Sequence, residues 1–212
     1  MIHDRGETVV GIDEVGRGAL AGPVMVGAVA LSSLREPPRG VADSKVLTDV
    51  KRRALVGDIQ QWVDGWAVGA ASAAEIDAWG IRLALAVAAH RAVGQLTLST
   101  PHCLIDGPHN ILRVPMDVGF GVEPPPAIPE RTWPATMVVK GDQRCASISA
   151  AAILAKVARD TLMIELAEQY PDFGWEGNKG YGSSGHLEAL ERCGATTLHR
   201  RSWNIPGVTP EN

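Results

Sequence analysis

The sequence predicts a mixed α/β sheet covered by helices, and three observations lead there. Short apolar runs rich in β-branched residues, bounded by glycine and proline, fill the first third of the chain. Helical periodicity then alternates with further short apolar runs, the pattern of helices laid on a sheet. Apolar runs also end in acidic residues three times, at Asp13-Glu14, at Asp106 and at Asp142. A length of 212 residues with 45% hydrophobic content suits one domain over residues 1–212, closed by a short helical segment.

Thr8-Val9-Val10 and Ile12 read as a buried strand, which Gly16 and Gly18 end. The spacing Gly16-x-Gly18-x-x-Ala21 loosely fits a dinucleotide fingerprint, but that motif needs a helix after it. Here Val24 to Leu31 follows and reads as a second strand. On this segment alone, a solvated acidic turn and a functional site both stay open. Thr48 to Val63 reads as a helix with Thr48 as N-cap and Leu55, Ile59 and Trp62 or Val63 on one face. Trp66 to Ala71 gives a third strand, completing an antiparallel run. Ser72-Ala73-Ala74-Glu75 has capping-box spacing for a short helix, and Ile81 to Leu96 makes a long Ala-rich one.

His102 to Asp106 reads as a strand running into Gly107. Six prolines between Val114 and Pro134 exclude helix and central strand and leave a long loop. Thr136 to Val139 is a short strand ending in Lys140-Gly141-Asp142, and Arg144 to Gln169 a long helix rich in alanine. Gly177 to Gly182 reads as a flexible loop, followed by a helix near Gly185 to Arg192.

The longest apolar stretch, Val24 to Leu31, is far short of the roughly 20 residues a membrane helix needs. The first seven residues are charged and lack the apolar core of a signal peptide, so a cytoplasmic protein is expected. Cys103, Cys145 and Cys193 are scattered, and each is expected to be a reduced, buried small hydrophobe. A net charge of −4 offers no broad attraction for nucleic acid, yet bound divalent ions would make the working surface less negative. Asp13, Glu14, Asp106 and Asp142 would converge if their strands are neighbours. Adjacent strand residues face opposite ways, so Asp13 and Glu14 are expected to share a site only if the backbone departs from strand geometry near Gly16.

Gly11-Ile12-Asp13-Glu14-Val15-Gly16-Arg17-Gly18, Asp43-Ser44-Lys45, Ile105-Asp106-Gly107, Lys140-Gly141-Asp142, Ala155 to Asp160 and Lys179-Gly180-Tyr181 occur in this order. Together they closely resemble bacterial ribonuclease HII over nearly the whole chain. The resemblance implies a ribonuclease H-like fold. It also implies hydrolysis of the RNA strand of RNA·DNA hybrids, with nicking of duplex DNA on the 5′ side of an embedded ribonucleotide. It makes Asp13, Glu14, Asp106 and Asp142 the catalytic, metal-binding carboxylates. An all-oxygen donor set independently suits Mg²⁺ or Mn²⁺.

By the same resemblance, Gly16, Arg17 and Gly18 read the 2′-hydroxyl and Tyr181 packs at the RNA-to-DNA junction. Lys45, Lys140, Lys156, Arg159 and Lys179 are candidate phosphate contacts, whereas Asp160 is expected in a structural pair. A monomer without membrane contact is expected. Ala152 stands where the family helix often has Ser, and Trp203 where Phe is usual. Competing readings are a carboxylate-metal nuclease for DNA or structured RNA, and a hybrid-binding module without catalysis.

Overall fold

Val9, Val10 and Ile12 are fully buried, which fits a strand covered on both faces. In the computed structural model, which describes residues 8–41, 47–98, 100–114 and 133–205, that strand is β1 (Val9–Val15). It lies at the centre of a five-stranded sheet with β2 (Val24–Leu31), β3 (Gly65–Ala71), β4 (His102–Asp106) and β5 (Ala135–Val138). The order is β3-β2-β1-β4-β5. The three opening strands pair antiparallel, and β4 and β5 join β1 in parallel.

Helix α1 (Asp49–Trp62) begins at Thr48, whose hydroxyl accepts from the Lys51 N–H. Helix α2 (Ala73–Gly94) starts in a full capping box between Ser72 and Glu75. The two helices read from the sequence meet in it at Gly80, whose φ of 74° interrupts the helical path. Helix α3 (Ala146–Gln169) covers one sheet face and α2 the other. Ala84, Leu85, Ala88, Ala89 and Ala92 pack from α2 onto Val10, Ile12, Val26, Cys103 and Ile105. Ala150, Ala151, Ile153 and Leu154 pack from α3 with Val29 and with Ile59 and Trp62 of α1.

A Cβ at Gly11 would land within 3.0 Å of the Ser147 and Ile148 backbone, and one at Gly27 equally close to Ala151. These glycines let α3 lie against β1 and β2 at backbone distance. Helices α4 (Trp175–Asn178) and α5 (Ser184–Cys193) close a third cluster around Met163, Phe173 and Trp175.

Two expectations change. Gly177 to Gly182 is tied down instead of free: Lys179 N–H closes α4 on Trp175, and Gly180 N–H donates to Asn178 Oδ1 at 2.8 Å. Of the cysteines, Cys103 is buried, Cys145 is half-buried, and Cys193 is exposed at the last residue of α5. The proline-rich stretch lies outside the described residues between 115 and 132. Among the described residues, no helix is long and apolar enough to cross a membrane.

Candidate active site

Strands β1 and β4 run parallel and end together, bringing Asp13, Glu14 and Asp106 to one end of the sheet. Asp142 follows on a 3₁₀ turn (Gly141–Gln143) that leads into α3. Asp13 pairs with Gly27 on the α3 face, whereas Glu14 pairs with Val26 and leaves from the α2 face. The left-handed turn comes only after them, at Gly16 with φ 81°. Asp13, Glu14 and Asp142 nevertheless line one cavity of about 180 Å³, with Arg52, Ala152 and Lys156.

Burial, then repulsion from Asp106 and Glu14 and more weakly from Asp142, pushes the Asp13 carboxyl up to about 8. Burial also raises Glu14, against the pull of Arg17, whose Nη1 lies 3.6 Å from Glu14 Oε1. Asp142 is only 2% exposed. Asp13 Oδ1 accepts from the Glu14 N–H at 2.7 Å and Asp106 Oδ1 from the Gly141 N–H at 2.6 Å. As they are placed, no three Asp, Glu, His or Cys side chains among the described residues surround one point closely enough to hold an ion. The donor chemistry still fits a divalent cation. All donors are hard oxygens, and the mutual repulsion that raises Asp13 is what a bound cation would relieve.

The Gly16-Arg17-Gly18 turn is held from beneath by two buried guanidinium groups. Arg200 donates to Gly16 O at 2.6 Å, Arg17 O at 2.8 Å and Gly22 O at 3.1 Å. Arg159 donates to Pro23 O at 2.9 Å, Ala21 O at 3.1 Å and Lys179 O at 2.9 Å. Its side chain fills the space a Cβ at Gly16 would need, and its guanidinium carbon sits 5.5 Å from the centre of the Tyr181 ring. Leu20 N–H donates to Gly180 O at 2.8 Å. The turn and the Tyr181 loop are therefore one hydrogen-bonded unit, with Gly18 open to solvent and Tyr181 38% exposed.

Of the candidate phosphate contacts, Arg159 is withdrawn: it is 0% exposed, and its donors are spent on backbone carbonyls. Lys156 lines the carboxylate cavity and pairs at 2.8 Å with Asp160, the structural partner expected. Lys140 is exposed with φ 56°, and the Lys179 ammonium donates to the Glu176 carbonyl. Lys45 lies outside the described residues. Arg52 in the cavity was missed, having no local sequence signature, and so was the role of Arg200, which lies in a stretch from His199 to Trp203 that resembles the family's C-terminal motif. A second cavity of about 660 Å³ holds none of the four carboxylates and is lined by Arg17 of the turn with Arg82, His109 and Arg113.

The model of the family described as ribonuclease HII matches residues 10–205. A ribonuclease HII of Streptomyces coelicolor is 43% identical over 203 residues, covering 96% of this chain and 79% of the relative. One from a Jannaschia species is 46% identical over 204 residues, covering 95% and 92%. Among solved structures, the ribonuclease H2 of Pyrococcus horikoshii aligns with a TM-score of 0.69 at 24% identity, over 93% of this chain and 94% of that one. Ribonuclease HII of Archaeoglobus fulgidus, solved in complex with PCNA, aligns at 0.67 with 25% identity over 91% of each chain. The fold is that of ribonuclease H, and the sequence match carries the enzyme class with it. The chain belongs to the ribonuclease HII family, type 2 ribonucleases H that cleave the RNA strand of RNA·DNA hybrids with divalent metal.

Proposed function

We propose that this chain, acting as a monomeric single domain, nicks duplex DNA on the 5′ side of an embedded ribonucleotide as well as cutting longer hybrids. The products carry a 5′-phosphate and a 3′-hydroxyl. The observation that carries the reading is the buried carboxylate group around Asp13, whose charge only a cation would make tolerable beside a phosphate. Asp13, Glu14, Asp106 and Asp142 are the residues that would hold Mg²⁺ or Mn²⁺. Two such ions would supply Lewis acidity to the attacking water and to the leaving 3′ oxygen.

The rest is done by the chain itself. Arg200 and Arg159 fix the peptide planes of residues 16 to 23, so the Gly16-Arg17-Gly18 backbone meets the ribose 2′-hydroxyl without reorganising. Gly18 leaves room for that approach, because a Cβ there would meet nothing within 4 Å. Tyr181, on the same rigid unit, tests whether the following sugar is deoxyribose. Lys140 and Lys179 contact phosphates, with Lys45 assigned that role from the sequence alone. Arg82 and Arg113 extend the positive surface from Arg17 for the duplex backbone.

The test is cleavage of an end-labelled DNA duplex containing one ribonucleotide, beside an all-DNA duplex and a long RNA·DNA hybrid, with Mg²⁺ or Mn²⁺. A metal-dependent nick immediately 5′ of the ribonucleotide is expected. Equal cutting of the all-DNA duplex would favour a general carboxylate-metal nuclease instead.

A further inference from the structure

Behind the Tyr181 loop, α5 and the chain leading to Arg200 bring two histidines into contact. His186 and His199 are 0% and 1% exposed, and their Nε2 atoms lie 3.0 Å apart. Two nitrogens at that distance form a hydrogen bond only if one carries the proton and the other does not, and the surroundings decide which. His186 Nδ1 lies 2.9 Å from the Tyr181 carbonyl, which can only accept, so Nδ1 carries the proton. His186 Nε2 is then an acceptor, as the Trp175 Nε1–H at 3.2 Å also requires. His199 must therefore donate from Nε2, which leaves its Nδ1 to accept from the Thr196 N–H at 3.0 Å and the Thr196 hydroxyl at 2.9 Å.

Every direction in the chain Thr196–His199–His186–Tyr181 agrees. Burial lowers the affinity of both rings for a second proton, and for His199 the neighbouring His186 and Arg201 add to this and bring it to about 4. Phe173 and Trp175 pack the two rings on their faces and edges. The Tyr181 carbonyl also accepts from the Ser183 N–H at 2.8 Å, so two donors fix that peptide.

We propose that His186 is a positioning residue for substrate discrimination: its Nδ1–H, oriented by His199 and Trp175, holds the Tyr181 backbone and thereby sets where the tyrosine ring meets the sugar. This rests on the reading of Tyr181 as the reader of the RNA-to-DNA junction. His186 does not touch substrate, and its effect passes entirely through Tyr181.

The readout is the ratio of kcat/KM for a duplex with one ribonucleotide to kcat/KM for a long RNA·DNA hybrid, measured for His186→Leu, His186→Asn, Tyr181→Ala and the double variant His186→Leu/Tyr181→Ala. Loss of the hydrogen bond to the Tyr181 carbonyl in His186→Leu should lower that ratio roughly fivefold. His186→Asn, whose amide nitrogen can replace Nδ1, should restore most of it. In the Tyr181→Ala background, His186→Leu should lower it no further. Equal losses on both substrates, or an added loss in the double variant, would overturn the proposal while leaving the reading of Tyr181 intact. An unchanged ratio in Tyr181→Ala would overturn both. Because His186→Leu can fail to fold, the wild-type protein supplies an independent check through long-range ¹H–¹⁵N correlation of the imidazoles. A proton on Nδ1 of His186 and on Nε2 of His199 is expected, and the opposite tautomers would overturn the relay.

Discussion

Asp13 is a carboxyl placed where its ionised form is penalised. Its folded value of about 8 lies far above the ordinary 3.8, so the metal-free folded chain holds a proton that the unfolded chain has already lost. Between about 4 and about 8 the folded state binds more protons, and its stability falls as pH rises through that window. Thermal melts in EDTA should show this decline, and Asp13→Asn should flatten it. A decline of the same steepness in the variant would remove Asp13 as its source.

The same variant should lose more than about 100-fold in hybrid cleavage while keeping its fold, since metal affinity depends on ligand charge. Single-turnover cleavage beside circular dichroism would measure both. The approach of Asp13, Glu14 and Asp106 at one end of the sheet was foreshadowed by apolar runs that end in acids, and it needed β1 and β4 to be neighbours, which the sequence did not show. The role of Arg159 was not legible, since a buried guanidinium serving backbone carbonyls looks in sequence like any surface arginine. Nor could the left-handed backbone at Lys140 and Lys179 be read, because it is imposed by contacts distant in the chain.

The elements owe their positions to close approach. Gly11→Ala would drive a methyl into the Ser147–Ile148 backbone and push α3 away from β1, the contact that sets Asp13 against the start of the helix carrying the cavity wall. Overpacking of this kind costs about 1–3 kcal/mol or more, so the urea midpoint should fall clearly, and cleavage with it. An unchanged midpoint would mean the sheet-to-helix spacing is softer than described. Strand and helix identities were readable from periodicity, and the bounds of β2 match the apolar run from Val24 to Leu31. The end of β1 was readable too, since Gly16 closes the strand at Val15, but its parallel pairing with β4 was not, because pairing partners leave no mark on a single strand.

Over the whole molecule, segments far apart in the chain meet. Arg200, near the C-terminus, reaches Gly16, Arg17 and Gly22, and its guanidinium carbon also lies 4.8 Å from the centre of the Trp203 ring. Arg200→Met should strand those buried carbonyls at about 1–3 kcal/mol for each one left unsatisfied, and lower Tm. It should also reduce discrimination between ribonucleotide-containing and all-DNA duplexes, because the turn that meets the 2′-hydroxyl loses its support. Lower Tm with intact discrimination would make Arg200 a staple for stability alone. This long-range tie was invisible in sequence, where Arg200 and Gly16 are separated by nearly the full chain.

On the reading proposed above, the carboxylates gathered by β1, β4 and the turn after β5 form one divalent-metal site. Calorimetric titration of Mn²⁺ into the metal-free protein at pH 8, for wild type and Asp13→Asn, tests it most directly. Saturable binding by the wild type, lost or weakened by more than about tenfold in the variant, is the expected result. Equal Mn²⁺ affinity in the two proteins would contradict it.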